Sequence, residues 1–360
     1  MQEVKSIREA DVRGKRVLVR VVLNVPLQNG AVTDDLRLRA IVPTLEFLDE
    51  KGAASITLMG YVGRPEGKVV EELRTAPVAA KLRELTNVTF EVLENLRFDP
   101  REESNDEGFA KELATHGEIY VNDAFADSHR AYASTVGVTK FLPSYAGLLL
   151  EEEIKNLSEA LTPPANSLAI IGGAKFQTKQ PLLEKLLTTY GKVFLGGALG
   201  NDLLKARGMP VGASLVSPMP VPMSIAGNDR LIIPADIALI DEKTGGRRTT
   251  NTADVRAGEK IFDIGPETIK NWSAEISKAS FVLWNGPLGV FEKGFAEGTQ
   301  GLASALAQAP CRAIVGGGDT IAALSKFKFD PKRIFISTGG GAMLEFLANG
   351  TLAGIEALKR

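Results

Sequence analysis

Two sets of residues in this chain could handle phosphate, and they do so by different chemistry. The first set is glycine. Eleven of the 36 glycines fall in four short runs: Gly172-Gly173, Gly196-Gly197 with Gly200, Gly316-Gly317-Gly318 and Gly339-Gly340-Gly341. Each run closes an apolar, β-rich stretch (SLAIIGG, KVFLGG, RAIVGGG, RIFISTGGG). Glycine after a strand and before a helix lets the backbone come close to a ligand and aims free N–H groups at phosphate oxygens. Lys175 and Lys179 are four apart, so one helical face can present both beside the first run. Asp319 follows Gly318, where a hard cation bridging phosphates needs an oxygen ligand. Four such loops with two lysines and an aspartate point to a nucleoside di- or triphosphate.

The second set is cationic and lies in the first half. Asn24 in RVVLNVP, Arg64 in MGYVGRP, Arg97 in LENLRF and Arg130 in NDAFADSHRAY each follow a β-rich run, and Arg37 starts the first helical segment. Guanidinium forks converging on one site bind phosphate or carboxylate oxygens two at a time, which suits a small, multiply anionic substrate.

These residues need strands whose carboxyl ends open on a common site, because ligands of open parallel sheets bind there. The pattern supplies them. RVLVRVVLN, SITLMG, TFEVLEN and EIYVNDAF alternate with helical segments such as LRLRAIVPTLEFLDEKG. SLAIIGG, KVFLGG, RLIIPADIALI, SFVLWNG, RAIVGGG and RIFISTGGG do the same in the second half. Alternation of this kind builds parallel sheets with helices on both faces. Ten strands are many for one open sheet, so we expect two α/β domains, each a doubly wound, Rossmann-like parallel sheet. A helix from about Tyr145 to Leu161, ended by Pro163-Pro164, is expected to join them. The boundaries read as a first domain over 1–148, helix and linker over 149–164, and a nucleotide domain over 165–342.

Composition removes other classes. Formal net charge is −2, from 42 basic and 44 acidic residues, so a general nucleic-acid or membrane-surface binder is not expected. One cysteine, Cys311, and two histidines, His116 and His129, exclude a disulfide framework and argue against cysteine- or histidine-rich metal centres. The charged N-terminus has no apolar signal region, and no run is long enough to span a bilayer, so a reducing cytoplasm is expected. Neither G-x-x-x-x-G-K-[ST] nor G-x-G-x-x-G after a strand is present, against a P-loop enzyme and a NAD-type dehydrogenase. The residues describe an anion held by one domain and a nucleotide held by the other, with domain closure expelling water. Scarce histidine fits an acceptor already ionised, such as a carboxylate, which needs no general base.

The chain resembles the phosphoglycerate kinase family along nearly its whole length. RVVLNVP, LRLRA, GRPEGK, LENLRF, YVNDAFADSHRA, IIGGAKFQTK, DIGPETI, VLWNGPLGVFE, VGGGDT and ISTGGGAMLEFL occur in the family's order. The resemblance implies a monomeric, hinge-bending cytoplasmic kinase that moves a phosphoryl group between Mg-ATP and 3-phosphoglycerate. It implies that Asn24, Arg37, Arg64, Arg97 and Arg130 hold the phosphoglycerate, with Arg37 also facing the moving group. Lys175 would travel with that group, and Gly340 and Gly341 would cradle it. Gly173, Lys179, Gly196, Gly197, Gly317 and Gly318 would bind nucleotide, Asn285 and Glu292 its nucleoside, and Asp319 with Thr320 the Mg-phosphates. Small-molecule substrates are the only partners implied, and residues 343–360 would pack back on the first domain.

Departures cluster on the acid side. Family R-V-D-F-N-V-P reads RVVLNVP, placing Val22 where the family has a substrate-binding aspartate. Tyr61 and Tyr132 stand where S-H-L-G-R-P and H-R-A-H have histidines. The chain also reads short between Leu85 and Leu93. Two alternatives follow: a kinase with a different acid substrate, since Val22 and two tyrosines make the site less polar, or a weakly active nucleotide-binding regulatory protein. Lys175, Arg37 and Asp319 argue against the second, because a pure binder needs no transition-state charge.

Overall fold

The apolar runs become strands in two separate units. The structure, a computed structural model, describes residues 4–174 and 176–359. Unit 1 extends to Lys155 and resumes at Asn349; unit 2 is Asn156–Ala348.

Unit 1 runs β1 (Arg16–Arg20), a hairpin of β2 (Leu27–Gln28) and β3 (Ala31–Val32), α1 (Leu36–Glu50), β4 (Ser55–Met59), α2 (Ala76–Leu85), β5 (Glu91–Val92), α3 (Glu107–Ala114), β6 (Ile119–Asn122) and β7 (Ser144–Ala146). The sheet order is β5-β4-β1-β6-β7, and every pairing is parallel. Helices cover both faces, which is why β1 and β4 are buried at four consecutive residues rather than at alternate ones. Strand order reverses between β1 and β6, so the loops after these two strands flank the crevice where such sheets bind ligands.

The connecting helix, α4 (Leu148–Leu161), begins later than expected. Tyr145 lies in β7, which pairs with β6 through Tyr120–Ser144, Val121–Tyr145 and Asn122–Ala146. The helix starts where a distant side chain caps it: Asp123 Oδ1 accepts from the Leu149 and Leu150 N–H groups at 2.9 and 3.3 Å. A Cβ at Gly147 would lie 2.2 Å from that oxygen, so only glycine fits at the turn. Burial pushes the Asp123 carboxyl up to about 7.

Unit 2 runs β8 (Ser167–Ile171), α5 (Phe176–Thr189), β9 (Lys192–Leu195), α6 (Gly197–Ala206), α7 (Met223–Ala226), β10 (Leu231–Ile232), β11 (Asp236–Asp241), β12 (Arg247–Asn251), β13 (Glu259–Ile264), α8 (Pro266–Ile276), β14 (Phe281–Asn285), α9 (Glu297–Gln308), β15 (Arg312–Gly316), α10 (Gly318–Leu324), β16 (Ile334–Ser337) and α11 (Gly341–Asn349). Its main sheet is parallel with order β10-β9-β8-β14-β15-β16, the doubly wound dinucleotide-fold order, and it reverses between β8 and β14. Beyond Asn349 the chain returns to unit 1, where α12 (Ala353–Glu356) is held by the Gly354 N–H donating to the Ser128 carbonyl at 2.7 Å.

One expected strand is two. RLIIPADIALI breaks at Ile233-Pro234-Ala235 into β10, in the parallel sheet, and β11, at the centre of an antiparallel sheet ordered β12-β11-β13. Proline lacks the N–H that a ladder needs, so the run cannot remain in one sheet. This second sheet was not expected; β12 (RRTTN) is half exposed and carries no apolar signal.

Candidate active site

In unit 1 the loops after the parallel strands gather the predicted cations. Arg37, at the start of α1, donates from Nη1 to the Asn24 carbonyl at 2.8 Å. The Asn24 side chain in turn accepts from the Gly63 N–H at 3.0 Å. Arg97 Nη1 donates to the Gly63 carbonyl at 2.8 Å. Its Nη2 and the Nη1 of Arg130 both donate to the Tyr132 hydroxyl, at 3.1 and 3.0 Å. Arg37, Asn24, Arg97 and Arg130 are therefore joined in one chain of hydrogen bonds through Gly63 and Tyr132. Arg64, next to Gly63, is exposed.

The support beneath them is buried and charged. Asn95 fixes the Arg97 turn, accepting from the Arg97 N–H and donating to the carbonyls of Val62 and Leu73. Arg20 on β1 is completely buried and pairs with Asp127 at 3.0 Å and with the Ser134 hydroxyl at 2.9 Å. Burial works against the Arg20 charge, but Asp127 and Glu102 hold its pKa above the ordinary arginine value. Burial raises Glu102, opposed by Arg20. Asp127 accepts a 2.8 Å bond from the Tyr61 hydroxyl, whose pKa burial and Asp127 push far up.

These bonds correct one expectation. Tyr61 and Tyr132 do not make the site apolar, because both hydroxyls are spent on charged partners. The Tyr61 ring lies 3.6 Å from the centre of the Arg97 guanidinium. Val22 is buried and brings no polar atom.

In unit 2 a cleft of about 660 Å³ opens beside the β8/β14 reversal. Gly173, Gly196, Gly197, Glu292 and Asp319, all among the residues expected to serve the nucleotide, line it. Its far wall comes from the antiparallel sheet through Ile237, Lys260, Ile261, Phe262 and Asp263. Sequence reasoning missed that wall together with Asn201 and Leu288; the quoted DIGPETI, which contains Asp263, was the available signal. Asp263 accepts from the Ile264 and Gly298 N–H groups, and burial pushes its carboxyl up to about 7.

The glycine runs divide into two kinds, which also amends the expectation of free N–H groups. The N–H groups of Gly172, Gly173, Gly196 and Gly197 are all taken, by the carbonyls of Asn285, Pro287, Ile171 and Leu288. Here glycine permits backbones to interlock: a Cβ at Gly172 would lie 2.1 Å from the Pro287 carbonyl oxygen. By contrast, the N–H groups of Gly317, Gly318, Gly340 and Gly341 meet no acceptor among the described residues. Gly318 and Gly341 open α10 and α11, so these free donors lie at the helix starts.

Lys179 on α5 is buried and donates from Nζ to the Gly172 carbonyl at 2.5 Å. Burial lowers its pKa to about 8, against the pull of the Asp319 charge. Thr320 is also buried, its hydroxyl accepting from the Gly286 N–H at 2.7 Å. Asn285, expected beside the nucleoside, is not among the residues that line the cleft. It is buried at the end of β14, with its side-chain amide against Met343 Sδ at 3.8 Å. Lys175 lies outside the described residues. Among those described, no three acid, histidine or cysteine side chains gather to hold a metal. Asp319 is exposed and lines the cleft with a single carboxylate.

Comparison with known proteins places the chain in a family. The family model described as Phosphoglycerate kinase matches residues 7–92 and 89–350. The two stretches meet where the first domain reads short. The phosphoglycerate kinase of Roseiflexus sp. (strain RS-1) is 45% identical, with 98% of each chain covered. That of Chloroflexus aurantiacus is 42% identical, covering 99% of this chain and 98% of the relative. Among solved structures, phosphoglycerate kinase from Coxiella burnetii superposes with a TM-score of 0.87 at 37% identity, covering 99% of both chains. The enzyme from Pyrococcus horikoshii OT3 gives 0.83 at 28% identity, covering 99% of this chain and 98% of that one. With its motifs in order, its two doubly wound sheets and relatives matched end to end, the chain belongs to the phosphoglycerate kinase family.

Proposed function

We propose that the protein catalyses phosphoryl transfer between ATP and the carboxylate of 3-phosphoglycerate, giving ADP and 1,3-bisphosphoglycerate, and the reverse. The observation that carries this reading is the pairing of an arginine-rich strand-end site in unit 1 with a glycine-lined cleft in unit 2. Arg37, Arg64, Arg97, Arg130 and Asn24 hold the acid. Gly173, Gly196, Gly197 and Glu292 line the nucleotide cleft, and Lys179 supplies a charge beside its phosphate end.

Transfer of this kind depends on positioning and charge stabilisation rather than covalent help. Magnesium bound with the nucleotide neutralises phosphate charge, and Asp319 is the residue that would hold it. Free N–H groups at Gly340 and Gly341 stabilise the moving phosphoryl oxygens, and Lys175 and Arg37 add cationic charge to them. The carboxylate nucleophile is ionised at neutral pH, so no residue acts as general base. Closure of the two units over the substrates excludes water. Asn285 and Thr320 act from behind: the Asn285 carbonyl accepts from the Gly172 N–H and the Thr320 hydroxyl from the Gly286 N–H. We further read the protein as a cytoplasmic monomer; among the described residues no helix is long and apolar enough to cross a membrane.

Steady-state kinetics of Arg97→Ala and Asp319→Asn test the assignment. The first should raise KM for 3-phosphoglycerate and the second KM for Mg-ATP, each with little effect on the other substrate. Crossed effects would reverse the assignment of units.

A further inference from the structure

The anion site of unit 1 contains an anion of its own. Glu103, in the turn before α3, has a half-exposed side chain that reaches back to the buried Arg97, with a carboxylate oxygen 2.9 Å from Nε. The same oxygen accepts a 2.9 Å hydrogen bond from the Tyr132 hydroxyl. That hydroxyl has one proton and two lone pairs. It gives the proton to Glu103 and accepts from Arg97 and Arg130, so its capacity is fully used. On the other side, the Arg97 guanidinium carbon sits 3.6 Å over the Tyr61 ring, and the Tyr61 hydroxyl is anchored to Asp127, which is itself bound to Arg20. One guanidinium is thus held by a ring, a hydroxyl, the Gly63 carbonyl and a carboxylate, and of the three side chains only Glu103 is solvent-exposed.

We propose that Glu103 is a built-in competitor for the acid substrate: it neutralises the Arg97–Arg130 pair at rest and is displaced when the substrate's anionic group arrives. Tyr61 and Tyr132 are positioning residues that keep the two forks aligned while this exchange takes place. The inference rests on the assignment of the acid substrate to unit 1. An anionic ligand presents carboxylate- or phosphate-like oxygens to the same guanidinium edge that Glu103 faces as an ion pair, where Arg97 Nε makes no hydrogen bond among the described residues, so the two compete for that edge. The exchange replaces one charge-assisted contact with another and leaves no buried cation uncompensated.

The test is kinetic, on the full chain, with 3-phosphoglycerate and Mg-ATP varied separately. Removing the competitor by Glu103→Gln should lower KM for 3-phosphoglycerate by about two- to fivefold, the size an exposed ion pair allows. KM for Mg-ATP should not change. Tyr132→Phe should raise KM for the acid about tenfold, because two cationic donors lose their shared acceptor. Tyr61→Phe keeps the ring under Arg97 and should stay within about threefold of wild type, whereas Tyr61→Leu should not. Thermal unfolding of each variant separates loss of fold from loss of alignment, and Glu103→Gln, being exposed, should unfold as wild type does. An unchanged or raised acid KM in Glu103→Gln, with Arg97→Ala still raising it by orders of magnitude, overturns the competitor and leaves the site assignment standing. An Arg97→Ala enzyme with wild-type acid KM overturns both.

Discussion

Lys179 should bind a proton when nucleotide binds, and the structure sets the size of the effect. Its ammonium is buried, held to about 8 against an ordinary value of 10.5. In the unfolded chain the group keeps its proton up to about 10.5. Between these values the unfolded state binds one proton more than the folded state, so stability rises with pH across the window from about 8 to 10.5. The difference of about 2.5 units corresponds to roughly 3 kcal/mol, a cost fully present below pH 8 and gone above 10.5. Nucleotide phosphate beside the ammonium restores its charge and raises its pKa again. At pH 8 the free protein carries about half a proton there, so binding should take up about half a proton, approaching one near pH 9. Calorimetry of ATP binding in buffers of different ionisation enthalpy reads this uptake directly. Lys179→Met should abolish it and weaken binding. Stability can be followed separately, because both tryptophans, Trp272 and Trp284, are buried in unit 2 and report its unfolding alone. The unfolding free energy of wild type relative to Lys179→Met should rise by about 3 kcal/mol from pH 7.5 to 10.5. A flat difference, or no proton uptake at pH 9, would show that the ammonium stays charged in the free protein and would refute the reasoning.

Other outcomes follow from the same geometry. Gly197→Ala places a Cβ 2.8 Å from the Gly173 backbone nitrogen at a φ of +62°, so the dissociation constant for Mg-ATP should rise at least tenfold, measured by titration calorimetry. Arg20→Met leaves Asp127 buried without its counter-charge, with only the Tyr61 hydroxyl bond remaining, and should destabilise unit 1 by about 3–5 kcal/mol. Amide exchange at Val17–Val19 reads that loss, and adding Asp127→Leu should return part of it. Val22→Asp restores a hydrogen-bond acceptor on the acid side and should lower KM for 3-phosphoglycerate by one to two decades, from about 1–3 kcal/mol. Asp319→Asn should weaken binding of Mg-ATP far more than binding of ATP in the presence of chelator.

What was legible in the sequence was periodicity and punctuation. Parallel strands buried on both faces leave apolar runs that end in glycine or a polar loop, so β1, β4, β8, β14, β15 and β16 could be read with the residues at their ends. Several elements could not be read, and two show why. One was β12, a half-exposed strand whose pairing with β11 depends on partners far along the chain. The other was the start of α4, capped by Asp123 from a different strand rather than by a residue beside it. Long-range partners also decided side-chain roles. Gly173 and Gly197 looked like free phosphate donors, yet their N–H groups are used by Pro287 and Leu288. Tyr61 and Tyr132 looked like losses of polarity, yet they hold the arginines in place. Local pattern identifies which residue types are present at a strand end; only the assembled loops determine which atoms remain free.

The central claim is that unit 1 binds 3-phosphoglycerate, unit 2 binds ATP, and the phosphoryl group passes between them. A coupled assay of ATP consumption, run with purified protein, magnesium and increasing 3-phosphoglycerate, tests it most directly. The account predicts saturable turnover that requires the acid and disappears without magnesium. Absence of turnover at millimolar 3-phosphoglycerate and Mg-ATP, from protein that is folded and binds ATP, would contradict it.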